Sequence, residues 1–302
     1  MSVTDGSITQ YLEQYTLKVE SALLESVPSA WNIPQTLREA MMYSLMAGGK
    51  RLRPIFVLAA AESLGGNPES AMPVALAIEM IHTYSLIHDD LPAMDNDDFR
   101  RGKPTNHKMY GEAMAILAGD ALLTHAFFTI VQASRAHDVP AGVVADIVEE
   151  LARLAGAPGM VGGQAADMEG EQGLTKLSEL EYIHLHKTSD LIVFSLKAGG
   201  RIAGANAEQL AALERFGTCI GLAYQIQDDI LDLIGDERKL GKPVQSDIKQ
   251  QKVTYPYFIG IEASRAKVEE LTAEAKLSIT GAGFANPERL LQLADYLVKR
   301  DY

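Results

Sequence analysis

The stretch VALAIEMIHTYSLIHDDLPAMD, residues 74–95, decides the fold class. Its first part is apolar almost all round a helical projection, which is typical of a helix buried on every side. Its last part is a cluster of aspartates, and Pro92 within that cluster disturbs the helix. Asp95 can therefore return toward Asp89 only from a loop or a bent turn. The stretch predicts an inner helix that ends at an acidic site.

A second aspartate cluster, Asp228-Asp229-Ile230-Leu231-Asp232, ends another apolar helical pattern at residues 217–232. Asp228 and Asp232 are four residues apart, so on a helix their carboxylates share one face and repel unless a cation lies between them. Hard oxygen ligands of this kind suit Mg²⁺, which fills its other positions with water and substrate phosphate. The two clusters together predict a site for divalent metal ions and a polyphosphate, rather than two solvated acidic faces.

The rest of the chain has the same helical character. From residue 8 onward most windows show helical spacing of apolar residues, and the alternation typical of strands is nearly absent. Gly48-Gly49 is expected to end one helix, Pro54 to open the next, and Pro73 to open the one after that. The sequence therefore predicts an all-α layered bundle, interpreted as a single domain over residues 1–302.

Composition and charge favour a soluble globular protein. The 302 residues are 47% hydrophobic and 22% charged, enough to bury a large core. A formal charge of −13 is repelled by nucleic acid and by anionic membrane surfaces. The single cysteine, Cys219, excludes an internal disulfide and favours a reducing cytoplasm. No uncharged stretch reaches the roughly 18 apolar residues of a membrane span, and no signal peptide is recognised, so we expect a cytoplasmic protein without membrane insertion.

Basic residues lie near the acidic clusters. The run GKRLRP, residues 49–54, concentrates three cations on a turn at the start of a helix, where free backbone N–H groups and guanidinium forks favour a diphosphate. Arg100 follows Asp95 by five residues, with Arg101 next to it, which places cations beside the proposed metal site. Further candidates for phosphate contacts are Lys187, Thr188, Lys242 and Lys252.

Several polar residues lie on the helices that carry the aspartates. Gln225 precedes the second cluster by three positions and shares a helix face with its first member. Tyr84 and Ser85 precede Asp89 by five and four residues, where they are placed to form the floor beneath a metal-held ligand. His88, directly before Asp89, keeps a metal phosphohydrolase open as an interpretation, because adjacent His and Asp residues occur in that class.

With these residues in place, the chain resembles the trans-isoprenyl diphosphate synthases, most closely the bacterial farnesyl diphosphate synthases, over residues 37–302. The motifs that carry the resemblance are GKRLRP at 49–54, the run from Glu79 to Thr105, Gly119-Asp120, Gly162-Gly163-Gln164, His186-Lys187-Thr188, Gln225 through Asp232, and Leu240-Gly241-Lys242-Pro243. Four residues separate Asp90 from Asp95, the longer spacing of the bacterial group. Ser189 is a departure, because members commonly carry glycine there.

The resemblance implies an isoprenoid synthase type bundle of ten or more helices around a deep central cavity, assembled as a homodimer. It also implies three Mg²⁺ ions that bridge an allylic diphosphate. Metals and cations stabilise the departing pyrophosphate, so the allylic C–O bond ionises to a carbocation. The alkene of isopentenyl diphosphate then attacks the carbocation. The implied substrates are isopentenyl, dimethylallyl and geranyl diphosphate, and the implied product is farnesyl diphosphate.

The resemblance assigns roles residue by residue. The metal ligands are Asp89, Asp90, Asp95, Asp228, Asp229 and Asp232. The allylic diphosphate is contacted by Arg100, Lys187, Gln225, Lys242 and Lys252. Isopentenyl diphosphate is bound by Lys50, Arg53, His82 and Arg101. The cation is stabilised by the dipoles of Thr188 and Gln225. The catalytic set is therefore Asp89, Asp95, Lys187, Thr188, Gln225 and Asp228, and product length is assigned to Tyr84 and Ser85.

Several alternatives stay open on the sequence. A geranylgeranyl diphosphate synthase differs at the cavity floor, at Tyr84 and Ser85. A class I terpene cyclase shares the fold and metal chemistry but normally lacks the isopentenyl site, whose basic residues are all present here. A catalytically silent partner subunit of a heteromeric synthase would have lost aspartates, and this chain has lost none. A phosphohydrolase would explain His88-Asp89 but not the second aspartate cluster.

Overall fold

The computed structural model describes residues 7–170, 173, 176–234 and 253–298. Its α-helices are α1 Ile8–Glu25, α2 Gln35–Leu45, α3 Leu52–Ser63, α4 Pro68–Asp89, α5 Asn106–Tyr110, α6 Glu112–His137, α7 Ala141–Ala155, α8 Met160–Gly170, α9 Leu177–Ile183, α10 Asp190–Ile202, α11 Ala207–Ile234, α12 Tyr255–Ile259, α13 Ile261–Thr280 and α14 Glu288–Val298. A π-helix, His184–Ser189, joins α9 to α10. The strands β1 Phe99–Arg100 and β2 Lys103–Pro104 pair as an antiparallel hairpin. The predicted all-α bundle of ten or more helices is confirmed within these ranges.

Helices α3, α4 and α10 form the centre of the bundle. Helix α4 is apolar on nearly every side, and it packs between α3 and α6. Helix α10 is buried from Leu191 through Gly200 and packs against α3 and α11. The predicted inner position of residues 74–90 follows from this arrangement, because neighbours cover α4 on several sides. Its carboxyl end therefore delivers the first aspartate cluster from inside the bundle.

Helix α4 begins five residues before the position predicted from Pro73. The Asn67 side chain caps it by accepting a hydrogen bond from the Glu69 N–H at 3.0 Å, and Pro68 takes the first helical position. Pro73 lies inside the helix, so the prediction that it opens the helix is wrong. The pair Asn67-Pro68 is the stronger start signal, because it combines a capping side chain with a proline whose missing N–H is not needed there.

Two helices, α4 and α6, are long and apolar enough to cross a membrane by length and composition alone. In the most apolar window of α4, 72% of the residues are buried inside the protein, against 44% for α6. Because α4 is enclosed by other helices, we interpret it as the core helix of the bundle.

Candidate active site

The first aspartate cluster lies at the carboxyl end of α4. The helix ends at Asp89, and the loop turns back so that the Asp95 N–H donates to the Asp89 carbonyl oxygen at 2.9 Å. This is the bent turn that Pro92 predicts. Asp89 and Asp95 are both half-buried, so the turn brings two partly exposed carboxylate residues close together along the backbone.

The Asp89 carboxylate contacts residues from α8 and from the π-helix. Gln164 of α8 donates to Asp89 Oδ1, and Lys187 Nζ lies 4.0 Å from Asp89 Oδ2. Lys187 also pairs with Asp167 of α8 at 2.7 Å. Burial lowers the pKa of Lys187, but the Asp167 and Asp89 carboxylates outweigh burial, and the net pKa is raised. Lys187 therefore remains a positive charge beside the first aspartate cluster.

Gln164 and Asp167 are two site residues without a predicted role, although the sequence carries a signal for them. They are three residues apart on α8, so they share one helix face. Gly163 directly precedes Gln164, and a Cβ there would be 2.2 Å from the Lys187 backbone nitrogen. Only glycine allows α8 to approach the π-helix this closely. The signal in the sequence is the pair Gly162-Gly163 followed by polar residues that share one helix face.

The Asp90 carboxylate forms a buried ion pair with Arg100. Arg100 Nε donates to Asp90 Oδ1 at 2.7 Å, and Arg100 Nη2 lies 2.5 Å from the same oxygen. Asp90 is 3% exposed, and burial raises its pKa against the lowering effect of Arg100. The pair ties the β1–β2 hairpin to the end of α4. It also holds a predicted substrate-binding arginine beside the first cluster.

The β1–β2 hairpin docks on the basic turn that precedes α3. Its central residues, Arg101 and Gly102, have φ values of 54° and 74°, as in a type I′ turn. The Arg101 guanidinium donates to the Gly48 carbonyl oxygen. Gly49 has a φ of 122°, a backbone conformation that favours glycine, and a Cβ there would lie 2.7 Å from Arg101 Cζ. The two basic motifs therefore form one surface.

Within the basic turn, Arg51 is buried and its neighbours are more open. Arg51 is 2% exposed, has a left-handed φ of 49°, and pairs with Glu79 of α4 at 2.5 Å. It also donates to the Leu45 carbonyl oxygen at 2.9 Å. Lys50 is exposed and Arg53 half-buried. Arg51 thus fixes the backbone that presents the two predicted substrate-binding cations.

The charges of four arginines act on His82, and we call Arg51, Arg53, Arg100 and Arg101 the cationic cluster. Burial, followed by the charges of the cationic cluster with Arg53 first, lowers the pKa of His82 well below its ordinary value of 6.5. The imidazole is therefore neutral near pH 7. Burial also lowers the pKa of Arg53, whose Nε is buried without a hydrogen-bond partner in the described structure. Such an unused donor in a cationic setting suits an anionic ligand.

The second aspartate cluster forms the last turns of α11. Asp228 is half-buried, whereas Asp229 and Asp232 are 8% and 1% exposed. Asp229 Oδ2 accepts a hydrogen bond from the Tyr255 N–H at 2.7 Å and lies 3.2 Å from His184 Nε2. Of the three carboxylates, that of Asp228 is the least buried.

The π-helix links the two aspartate clusters. Its Lys187 reaches Asp89, and its His184 reaches Asp229. Thr188, which follows Lys187, is half-buried. π-Helical turns are rare and frequent at functional sites, and here the wider turn carries two predicted substrate contacts. The clusters are therefore connected through side chains of one element.

The departure at Ser189 is accommodated by the neighbouring helix. Ser189 is 1% exposed, and its Oγ donates to the His184 carbonyl oxygen at 3.2 Å, within the π-helix. A Cβ on Gly221 of α11 would lie 2.3 Å from that Oγ. Gly221 therefore makes room for the serine, and the backbone at Thr188 keeps its place in the π-helix.

The predicted floor residues lie about one turn before the carboxyl end of α4. Tyr84 is 7% exposed, and its ring meets that of His88 edge-on, with centroids 5.7 Å apart. His88 packs against α6 at Gly119, where a Cβ would lie 2.2 Å from the imidazole Nε2. Ser85 is half-buried and donates to the carbonyl oxygen three residues earlier at 2.9 Å. Tyr84 thus packs beside His88, toward α6.

Of the remaining predicted site residues, one lies among the described residues and two lie outside them. Gln225 is half-buried, one turn before the second cluster. Lys242 and Lys252 lie outside the described residues, as does the motif Leu240-Gly241-Lys242-Pro243.

The aspartates of the two clusters suit a metal ion that is shared with a bound diphosphate, rather than a metal ion whose ligands all come from the protein. In the described ranges, no three His, Cys, Asp or Glu side chains form a group that could hold a metal ion by themselves. Asp89, Asp95 and Asp228 are half-buried hard donors. Mg²⁺ commonly takes one or two carboxylates and completes its shell with water and phosphate oxygens. This donor set fits Mg²⁺ in that mode.

Comparison with known proteins agrees with this geometry. A family model described as polyprenyl synthetase matches residues 34–283. Farnesyl diphosphate synthase of Geobacillus stearothermophilus is 53% identical over 87% of this chain and 88% of its own. Farnesyl diphosphate synthase of Bacillus subtilis is 48% identical over 98% and 99% of the two chains. The crystal structure of geranylgeranyl pyrophosphate synthetase from Pyrococcus horikoshii superposes with a TM-score of 0.87 at 32% identity, covering 97% of this chain and 98% of that one.

Proposed function

Because the chain belongs to the polyprenyl synthetase family, we propose that it is a Mg²⁺-dependent farnesyl diphosphate synthase. It condenses isopentenyl diphosphate with dimethylallyl diphosphate and then with geranyl diphosphate. The observation that carries the proposal is the contact between a negatively charged surface, the first aspartate cluster, and a positively charged one, the cationic cluster. The Asp90–Arg100 pair joins the first aspartate cluster to the cationic cluster, so sites for two diphosphates lie side by side.

The allylic diphosphate binds between the aspartate clusters. Asp89, Asp95 and Asp228 would hold Mg²⁺, which when bound would supply positive charge to neutralise the departing pyrophosphate. Lys187, kept charged by neighbouring carboxylates, stabilises the same leaving group. Arg100 is held beside this region by Asp90. These groups favour cleavage of the allylic C–O bond, in which the electron pair leaves with the pyrophosphate.

Isopentenyl diphosphate binds at the cationic cluster. Arg53 offers its unused Nε, and Lys50 and Arg101 add positive charge. Neutral His82 provides a ring N–H as a hydrogen-bond donor. The alkene carbon attacks the carbocation to form the new C–C bond, and the proton lost from the adjacent carbon passes to the released pyrophosphate. The dipoles of Thr188 and Gln225 stabilise the cation.

A geranylgeranyl diphosphate synthase is the second candidate. The Pyrococcus horikoshii protein, described as a geranylgeranyl pyrophosphate synthetase, shares the fold at a TM-score of 0.87, so the fold does not fix product length. The floor at Tyr84 favours the shorter product, because a buried aromatic ring there limits the growing chain. A phosphohydrolase is disfavoured because His88 Nε2 lies 3.1 Å from the Ile116 carbonyl oxygen, directed to α6.

We further propose a cytoplasmic homodimer with a single catalytic domain over residues 1–302. The formal charge of −13 supports small anionic substrates bound by local cations and argues against nucleic acid or membrane insertion.

Product analysis tests the proposal. The purified protein is incubated with Mg²⁺, isopentenyl diphosphate and dimethylallyl diphosphate, and the dephosphorylated products are separated by chain length. We expect farnesol as the main product and none when EDTA replaces Mg²⁺. A main product of geranylgeraniol would support the second candidate. Phosphate release without C–C bond formation would support hydrolysis. No reaction of the chain alone would support the silent subunit of a heteromeric synthase.

A further inference from the structure

A buried junction ties the second aspartate cluster to the π-helix and to α12, and we define it as His184, Asp229 and Tyr255. Asp229 Oδ2 accepts from the Tyr255 N–H at 2.7 Å and lies 3.2 Å from His184 Nε2. The three residues are 6%, 8% and 2% exposed. The Tyr255 hydroxyl donates to Glu181 of α9 at 2.8 Å, which extends the network to a further helix.

The junction lies directly beside two residues proposed to act on substrate. Asp228 adjoins Asp229 on α11, and Lys187 follows His184 by three residues on the π-helix. A second contact between these elements occurs two turns earlier on α11, where Gly221 packs on Ser189. Two separated contacts restrain both sliding and rotation of α11 against the π-helix. The junction therefore sets where Asp228 stands relative to Lys187.

We propose that His184 and Asp229 are positioning residues, and that the Asp229 carboxylate serves as an internal hydrogen-bond acceptor rather than as a metal ligand. A buried carboxylate has to be hydrogen-bonded, and Asp229 meets that need with donors from two elements. Both contacts are made to Oδ2, so using that oxygen for a metal ion would leave the Tyr255 N–H and the His184 ring without their acceptor. The inference rests on the proposed prenyl transfer, since its effect is on the residues that carry that reaction.

Kinetics of a double-mutant cycle test the inference. The variants are Asp229→Asn, His184→Leu and the double variant. His184→Gln serves as the conservative change, because its amide N–H₂ can replace the ring donor. His125→Leu is the matched control, since His125 is also buried, with Nε2 2.9 Å from the Ser26 carbonyl oxygen, in a different part of the bundle. Circular dichroism establishes that each variant is folded.

We expect each single junction variant to lower kcat about 10- to 100-fold, the effect typical of a lost supporting partner. The KM for isopentenyl diphosphate should change less than about twofold, because the cationic cluster lies on other elements. The double variant should be no worse than the poorer single one. His184→Gln should recover most of the activity, and His125→Leu should match the wild type. The half-saturating Mg²⁺ concentration should be equal in Asp229→Asn and His184→Leu.

The opposite pattern overturns the inference. If Asp229→Asn raises the half-saturating Mg²⁺ concentration while His184→Leu stays close to wild type, Asp229 binds metal directly. Additive losses in the double variant would likewise show that the two residues act independently.

Hydrogen exchange supplies a readout that needs no substrate. In Asp229→Asn and His184→Leu, the backbone amides of residues 253–259 should exchange about tenfold faster. Asparagine is a weaker acceptor for the Tyr255 N–H, and in His184→Leu the Asp229 carboxylate loses its contact with the imidazole. Unchanged exchange in both variants would overturn the junction itself. If the wild type makes no prenyl product but exchange accelerates as expected, the proposed function fails while the junction stands.

Discussion

Charged side chains at the site are held by partners on other elements. The pairs are Arg51 with Glu79, Arg100 with Asp90, and Lys187 with Asp167. Each pair restricts a long flexible side chain before substrate arrives, so less ordering is needed when a diphosphate binds. At the scale of single residues, the site is a set of cations that carboxylates on other elements fix in advance.

Substitutions of two cations, Arg53 and Lys187, are predicted to affect the two substrate sites differently in steady-state kinetics. Arg53→Ala should mainly raise the KM for isopentenyl diphosphate, because it removes a donor of the cationic cluster. Lys187→Ala should mainly lower kcat, because it removes a charge that stabilises the leaving pyrophosphate. Each lost charge-assisted hydrogen bond should cost about 1.5–3 kcal/mol, roughly tenfold to a hundredfold. Steady-state kinetics with each substrate varied in turn measures the split, and the reverse partition would exchange the two assignments.

His82 is predicted to make stability depend on pH. Its folded pKa lies below its ordinary value of 6.5, so between these pKa values the unfolded chain binds more protons than the folded one. The free energy of unfolding therefore falls as pH drops below 6.5, by at most about 1.4 kcal/mol per pH unit from this group. His82→Gln should show a smaller loss between pH 7.5 and 5.5 in urea unfolding. An identical loss in both proteins would show that His82 is not held neutral.

At the scale of elements, the sequence predicted the end of α4 better than it predicted contacts between residues of different elements. The apolar pattern placed the end of α4 at the first aspartate pair, Asp89-Asp90, and the bent turn to Asp95 followed from Pro92. The π-helix had no such signal, because it depends on close approaches by α8 and α11 that arise only in the folded protein. For the same reason the ion pair of Asp90 with Arg100 was not predicted. Spacing along the chain does not specify it.

Helix α4 is predicted to control product length. Tyr84→Ala should shift products toward C20 or longer, because it removes the buried ring beneath the site. Ser85→Phe should shift them toward C10, because the half-buried serine leaves room for a larger side chain to fill. Overpacking costs about 1–3 kcal/mol in well-packed interiors, so circular dichroism has to establish folding first. Folded, active variants of both kinds that still release only C15 would place the floor elsewhere.

Contact between α4 and α6 is predicted to require glycine. Gly119→Ala should destabilise the protein by about 1–3 kcal/mol, because its Cβ would lie 2.2 Å from His88 Nε2 and push the end of α4 away. Gly142→Ala on α7 is the matched control, since nothing lies within 4 Å of a Cβ there. It should be neutral or slightly stabilising. Chemical unfolding compares the two, and equal stabilities would mean that His88 moves aside without cost.

Across the whole molecule, the net charge has the same sign as that of the diphosphate ligands it is proposed to bind. The formal charge is −13, yet the positive charges of four arginines act on one histidine, His82. Composition alone therefore could not locate the diphosphate sites. The motifs could, because they carry the cations and aspartates at fixed spacings. Neither composition nor the motifs fix product length, since a protein described as a geranylgeranyl pyrophosphate synthetase shares the fold.

The central claim is that both aspartate clusters act in one Mg²⁺-dependent condensation, and the most direct measurement is the condensation rate of Asp89→Ala and Asp228→Ala at saturating Mg²⁺. Asp146→Ala is the control, because Asp146 is 59% exposed on α7 and pairs with Arg201. We expect each site variant to fold normally and lose at least about a hundredfold in rate, since each removes a carboxylate that holds the diphosphate-bound metal. The control should keep the wild-type rate. Rates within a few-fold of wild type in either site variant would contradict the claim.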